Sequence, residues 1–302
     1  MGKRFKGFTL GIIAAAAYGL NPLFALPLYR EGMSADSVLF YRYILAALIL
    51  GLLMKLKKIP FALKRTEIVP LIFVGLLFAF SSLFLFESYN YLNVGIASTI
   101  LFMYPVIVAI IMVLLFKEKI SFLVTLSICL SFAGILMLYR GEDGKTLNAV
   151  GVLLVFLSAL TYAVYIVSIS RSSIGSLPAL ELSFYAILFG SVVFIVRLKF
   201  CMNLQLVNNP INWLNVLALA LLPTLISLLA MNLAIQYIGS TIAAVLGALE
   251  PVTGLLCGIL AFGERLTFRV ACGIFMILLA VTLIIVSNPI NKWINSRIRK
   301  RV

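Results

Sequence analysis

Apolar residues divide this chain into long hydrophobic runs that are separated by short polar links. The length of each run is close to that of a membrane-spanning helix, which needs about 20 residues to cross a hydrocarbon layer about 30 Å thick. The first run is too long for the core of a signal peptide and lacks a convincing small-residue cleavage site, so it is predicted to stay as a helix. The pattern predicts ten membrane-spanning helices, at residues 7–28, 36–54, 68–91, 94–116, 121–139, 148–170, 178–198, 213–236, 240–262 and 267–287.

The second half of the chain repeats the first half. Tyr91–Phe122 superposes on Tyr237–Phe268 at one constant offset. Matching pairs include Ala97 with Ala243, Pro105 with Pro251, Phe116 with Phe262, and Glu118 with Glu264. At a nearly equal offset, Gly7 matches Gly151 and Tyr18 matches Tyr162. An internal duplication of this kind predicts two five-helix repeats, at residues 1–146 and 147–287.

Residues 288–302 form a basic tail after the second repeat. Its apolar residues recur every four positions, at Ile290, Ile294, Ile298 and Val302, and basic residues stand between them. This spacing predicts an amphipathic helix that lies on the anionic cytoplasmic surface of the bilayer.

The composition is that of an integral membrane protein. Hydrophobic residues make up 63% of the chain and charged residues 11%, whereas soluble domains have about 45–50% and about 25%. The net charge of +14 does not indicate nucleic-acid binding, because the basic residues lie in the links between apolar runs. The chain has no histidine, and its four cysteines are scattered. No metal site, disulfide framework or cofactor is therefore predicted.

Lys and Arg are concentrated in alternate links. This bias predicts that both termini are cytoplasmic, in a bacterial-type inner membrane. Because each repeat crosses the bilayer an odd number of times, the second repeat must be inverted relative to the first. Inverted repeats are typical of secondary transporters, whose sites lie near the midplane where the two halves meet.

Glu250 is the most informative polar residue inside an apolar run. It lies about 15 Å along the ninth predicted helix, at a rise of about 1.5 Å per residue, and so near the bilayer centre. A carboxylate that faced lipid there would cost at least about 2.5 kcal/mol, so it should face the interior of the bundle or a wet cavity. The functional interpretation is a site for protons or substrate, and the structural one is a hydrogen-bonded helix contact.

Several further residues are candidates for the same site. Tyr104 is the repeat counterpart of Glu250, so one half offers a carboxylate at the centre and the other offers a phenol. Tyr18 and Asn21 on the first helix, and Tyr162 and Tyr165 on the sixth, add aromatic and hydrogen-bonding groups at central depth.

Arg42 and Glu87 form a second candidate feature. Arg42 lies a short way into the second predicted helix, and Glu87 lies toward the outer end of the third, so their depths are similar. The similar depths predict a buried charge pair, which would either orient these helices or act as a gate.

Three stretches of the sequence resemble a known family. ALEPVTGLLCGILAFGERLT, Ala248–Thr267, and its echo YPVIVAIIMVLLFKEKIS, Tyr104–Ser121, resemble the repeated signature of the EamA-like ten-helix branch of the drug/metabolite transporter superfamily. FYRYILAAL, Phe40–Leu48, is similar to the arginine motif of that branch's second helix. The chain departs from the pattern at Lys117, where glycine is usual, and at Glu87, where a neutral residue is usual.

The resemblance implies a bundle whose third, fourth, eighth and ninth helices border a central cavity. It also implies substrates such as amino acids and other small metabolites, which are usually exported.

The residues and the resemblance together predict a secondary active transporter that works by alternating access. Its predicted cargo is an amino acid or another small aromatic or zwitterionic metabolite, and protons are the candidate coupling ion. The alternatives are a proton-coupled exporter of cationic drugs and, more distantly, an intramembrane enzyme or a channel. An enzyme would need a positioned nucleophile or a metal site, and the sequence shows neither at a common depth. No particular oligomeric state is predicted.

Overall fold

The computed structural model describes residues 2–92, 94–118, 121–138, 148–262, 268–269, 271–280 and 282–283. Within these residues the chain forms helices and no β-strand. The predicted tail and the predicted repeat boundary lie outside them. The helices are α1 (Lys3–Tyr18), α2 (Asn21–Arg30), α3 (Ala35–Leu56), α4 (Arg65–Ser88), α5 (Val94–Leu101), α6 (Tyr104–Phe116), α7 (Phe122–Leu138), α8 (Ala149–Arg171), α9 (Ala179–Arg197), α10 (Pro210–Leu219), α11 (Ser227–Ile238), α12 (Ser240–Leu246), α13 (Leu249–Phe262) and α14 (Ala271–Ala280).

These helices fall along all ten predicted segments, which confirms an all-α membrane protein. Six described stretches are long and apolar enough to cross a membrane: Lys3–Arg30, Ala35–Leu56, Arg65–Ser88, Ala149–Arg171, Ala179–Arg197 and Pro210–Ile238. The other four predicted spans are covered by shorter helices, namely α5 with α6, α7, α12 with α13, and α14.

Some of the predicted helices are interrupted near their middle. Proline lacks an N–H donor and clashes with the preceding turn of a helix, but the first turn of a new helix tolerates it. Pro22 and Pro105 each take the second position after a break, and Pro251 takes the third. The breaks fall at residues 19–20 in the first span, 102–103 in the fourth and 247–248 in the ninth.

The eighth span has a different irregularity. Between α10 and α11 the chain forms a π-helical segment, Ala220–Ile226, with Pro223 inside it. Thr224 Oγ1 donates a hydrogen bond to the Leu219 carbonyl oxygen at 2.8 Å. Short π segments inside α-helices are often found at functional sites.

The two repeats pack on each other in the same way. Helix α1 packs against α11, and its repeat counterpart α8 packs against α4. A Cβ atom added to Gly7 would lie 2.7 Å from Ile238, and one added to Gly151 would lie 2.6 Å from Leu92. Gly7 and Gly151 are repeat counterparts, as are Ile238 and Leu92. The same close helix contact therefore occurs twice, with the two repeats exchanging places, as expected of repeats related by a twofold axis.

Many large apolar side chains are exposed on the outside of the bundle, and several polar side chains are buried within its largely apolar interior. Arg42, Tyr104 and Tyr165 are among the largest fully buried side chains, whereas Leu114 and Val69 are more than two-thirds exposed, at 71% and 72%. A bilayer accounts for this arrangement, because lipid covers the apolar exterior.

Candidate functional site

Glu250 lies in the first turn of α13, directly after the break in the ninth span. A carboxylate at this end of a helix is stabilised by about 0.3–1 kcal/mol, which offsets only part of the cost of a charge in the middle of a span. Its backbone N–H donates to the Gly247 carbonyl oxygen at 2.9 Å. The side chain is half-buried, and among the described residues none donates a hydrogen bond to its carboxylate.

The break in the ninth span faces the break in the first span. Gly19 makes this contact possible, because a Cβ atom there would overlap the Glu250 carbonyl oxygen and lie 2.8 Å from Thr253 Cβ. The backbone of α13 can thus approach the end of α1. The two breaks place Tyr18, Asn21 and Glu250 in one region.

The break in the ninth span also contacts the fourth span. A Cβ atom on Gly247 would overlap the Tyr104 hydroxyl and lie 2.7 Å from Tyr104 Cζ. Tyr104 is 1% exposed, and its hydroxyl has no hydrogen-bond partner among the described residues. The phenol of one repeat therefore fits into the broken helix of the other.

Aromatic rings from both repeats form a cluster beside these breaks. The Tyr18 and Tyr162 rings stack with centroids 6.1 Å apart, and the Tyr162 and Tyr165 rings stack with centroids 5.9 Å apart. The Tyr104 ring meets Tyr162 edge-on, with a centroid separation of 4.9 Å. We call Tyr18, Tyr104, Tyr162 and Tyr165 the tyrosine cluster. Glu250 lies within electrostatic range of Tyr18, Tyr89, Tyr104 and Tyr162.

Arg42 is fully buried next to this cluster. Its Nη1 donates to Asn21 Oδ1 at 3.0 Å, its Nη2 donates to the Pro223 carbonyl oxygen at 3.4 Å, and its Nε donates to Thr224 Oγ1. The guanidinium carbon lies 5.9 Å from the centroid of the Tyr18 ring. Arg42 thereby joins the break in the first span to the π-helical segment of the eighth.

The structure does not pair Arg42 with Glu87. Glu87 instead accepts a hydrogen bond from Arg197 Nη2 at 3.1 Å and one from Asn90 Nδ2 at 3.3 Å. Arg197 also pairs with Asp36 at 2.6 Å. The predicted pair is therefore wrong for this structure. Similar depth in the bilayer did not fix the direction in which each side chain leaves its helix.

The structure brings the six predicted site residues together, and it adds others that the sequence analysis did not single out. Asn232, on α11, accepts a hydrogen bond from the Tyr165 hydroxyl at 2.8 Å and donates to Ser183 Oγ at 2.8 Å. Thr224 was missed in the same way. A polar residue in the middle of an apolar run was the available signal in each case.

A groove of about 530 Å³ lies elsewhere, between α4, α6 and α8. Its lining includes Val69, Phe73 and Leu115, which face outward, and no member of the tyrosine cluster. Within the described residues no group of three or more histidine, cysteine, aspartate or glutamate side chains could hold a metal ion.

Inverted repeats, broken helices and buried polar side chains between apolar outer faces are typical of a multi-pass membrane transporter. The EamA-like transporter family matches residues 5–140 and 149–286, once for each repeat. The chain belongs to this family, within the drug/metabolite transporter superfamily.

Individual proteins show the same relationship. The chain is 28% identical over 165 residues to an "Uncharacterized transporter" of Haemophilus influenzae, a match that covers 53% of this chain and only 54% of that relative. It is 25% identical to the "Uncharacterized transporter YdfC" of Bacillus subtilis, over 78% of this chain and 76% of the relative. A crystal structure of a protein with 17% identity superposes with a TM-score of 0.77, over 93% of this chain and 96% of that one, which shows a shared fold.

Proposed function

We propose that this protein is a secondary active transporter that exports amino acids or other small aromatic or zwitterionic metabolites by alternating access. The observation that carries the proposal is the Glu250 carboxylate, which has no hydrogen-bond donor among the described residues and lies where the broken first and ninth spans meet. Transporters of this architecture bind substrate at discontinuous helices near the midplane.

The surroundings of Glu250 suit a cationic group. A substrate ammonium would pair with the carboxylate and lie against the ring faces of the tyrosine cluster, and attraction between a cation and an aromatic face contributes about 0.5–2 kcal/mol. The same rings would cover an aromatic or aliphatic side chain of the substrate. A proton on Glu250 would compete with the ammonium, and this competition would couple transport to a proton gradient.

The test is transport by purified protein in proteoliposomes, with and without an imposed proton gradient. A panel of radiolabelled amino acids, aromatic amines and cationic dyes identifies the cargo. Glu250→Gln keeps the shape of the side chain but removes its charge, so gradient-driven accumulation should be abolished while folded yield stays near that of the unmodified protein.

Glu118→Gln is the matched control, because Glu118 is partly exposed and pairs with Arg171 away from the cluster. It should accumulate substrate at the unmodified rate. If Glu250→Gln also accumulates substrate at that rate under a gradient, the coupling role of Glu250 is wrong. If cationic dyes are transported and no zwitterion is, the protein is instead a proton-coupled exporter of cationic drugs.

A further inference from the structure

Arg42 is a buried cation that is surrounded by neutral groups. A guanidinium has five N–H donors and carries its charge at every accessible pH. Its hydrogen-bond acceptors are an amide oxygen, a hydroxyl and a backbone carbonyl, from Asn21, Thr224 and Pro223. Within the described part of the chain no carboxylate lies within 4.0 Å of it. A buried charge without an opposite charge is unfavourable, so the surroundings of Arg42 favour an anion.

Asn21 provides an independent observation at the same place. Its Oδ1 accepts a hydrogen bond from Arg42, which fixes the orientation of the amide and makes Nδ2 the donor. Asn21 is 2% exposed, and the described residues give Nδ2 no acceptor. Buried donors are paired in the great majority of cases. An amide N–H and a guanidinium therefore lie side by side, with donor capacity that the described chain does not use.

Tyr18 lies close to this pair and also interacts with Glu250. Its ring centroid is 5.9 Å from the Arg42 guanidinium carbon, and its hydroxyl is within electrostatic range of both Arg42 and Glu250. Groups of opposite charge therefore both interact with the same phenol. Such an arrangement matches a small molecule that carries a carboxylate and an ammonium close together.

We propose that Arg42 and Asn21 bind the carboxylate of the transported molecule, and that Glu250 binds its ammonium in the same region, which also contains Tyr18. The inference rests on the proposed function and narrows the cargo to small zwitterions of the α-amino-acid type. Arginine suits this role, because its planar fork binds a carboxylate with two parallel hydrogen bonds. A purely structural Arg42 would join the first and eighth spans but would not respond to small carboxylates.

The experiment measures thermal unfolding of the full-length purified protein in detergent. The probes are formate, acetate and each standard amino acid, titrated at constant ionic strength. A ligand that binds only the folded state stabilises it in proportion to ln(1 + [L]/Kd). We expect a saturable rise in the unfolding temperature with at least one carboxylate probe. No rise with any probe would overturn the proposal.

Asn21→Asp tests the location of the response. It puts a carboxylate next to Arg42, so the variant should unfold at the same or a higher temperature in probe-free buffer and should lose the response to formate. Asn203→Asp is the matched control, because it adds the same charge on an exposed loop and should keep the response. If Asn21→Asp does not fold, Arg42→Gln removes the buried charge and should also abolish the response. If folded Asn21→Asp or folded Arg42→Gln keeps the response to formate, the proposal is contradicted.

Two further readouts separate this inference from the proposed function. Formate should stabilise Glu250→Gln as it stabilises the unmodified protein, because formate has no ammonium group. If Glu250-dependent accumulation is found and is unchanged in Asn21→Asp, the proposed function stands and the carboxylate site is wrong. If amino acids bind through Asn21 but none is transported, the site stands and the proposed function is wrong.

Discussion

Gly247 gives a direct test of how the two repeats meet. Alanine at this position would put a Cβ atom onto the Tyr104 hydroxyl and 2.7 Å from Tyr104 Cζ. Tyr104 has little room to move, because its ring is held between Phe102, with centroids 6.0 Å apart, and Tyr162, with centroids 4.9 Å apart. Overpacking of this kind costs about 1–3 kcal/mol. We expect Gly247→Ala to destabilise the protein by an amount in that range.

Gly254→Ala is the matched control in the same broken span. Among the described residues, its Cβ atom would meet the Gly19 carbonyl oxygen, at an ordinary contact distance of 3.5 Å. Replacing glycine by alanine inside a helix is favourable by about 0.8–1 kcal/mol. The free energies of unfolding of the two variants should therefore differ by about 2–4 kcal/mol.

The assay is denaturant or thermal unfolding in detergent, followed by tyrosine and tryptophan fluorescence. A double-mutant cycle with Tyr104→Ala locates the clash, because Gly247→Ala should cost little once the ring is gone. Equal stability of Gly247→Ala and Gly254→Ala would refute the contact between Gly247 and Tyr104. Strictly additive losses of stability in the double mutant would refute this contact as well.

Three other predictions concern topology and packing. Reporter fusions after Lys58 and after Val302 should be cytoplasmic and a fusion near Asp143 should be external; an external C-terminus would mean that one helix was miscounted. Arg197→Ala should cost only about 0.2–1 kcal/mol of stability, because its ion pairs are partly exposed, and a loss of several kcal/mol would contradict this. Gly75→Leu should sharply lower folded yield, since a Cβ there would lie 2.8 Å from a carbonyl oxygen of α9, and normal yield would show that α4 and α9 are not so close.

Hydrophobic periodicity and the internal repeat were sufficient to predict the all-α membrane fold and its repeats, and the six candidate residues, chosen as polar or aromatic groups at central depth, lie close together in the structure. Hydrophobicity predicts continuous spans at residues 7–28, 94–116 and 240–262, whereas each of them is broken in the structure. An apolar run indicates that a segment lies in the membrane, but it does not indicate whether the backbone hydrogen bonds of the helix continue without a break along it. Proline at Pro22, Pro105 and Pro251 was the signal for the breaks.

The predicted pair of Arg42 and Glu87 shows a second limit. Residue counting gives the depth of a side chain, whereas a hydrogen bond also depends on the rotation of each helix about its axis. Arg42 is directed toward the first and eighth spans, and Glu87 is directed toward Arg197 on α9. That rotation is set by packing between distant segments, such as the contact of Gly75 in α4 with α9, and the hydrophobic pattern alone does not reveal it.

The positions of the irregular segments suggest which spans of the bundle move and which stay fixed. The fourth and ninth spans are repeat counterparts, and both are broken, but the break in the first span and the π-helical segment in the eighth have no equivalents in α8 and α4. Arg42 contacts both of these unmatched segments. Continuous α4 and α8 instead supply rings, Phe78 and Tyr162, which lie 6.4 Å apart. Because a broken helix bends more readily than a continuous one, we expect the proposed alternating-access transport to move the first, fourth, eighth and ninth spans against an aromatic wall formed by the third and sixth.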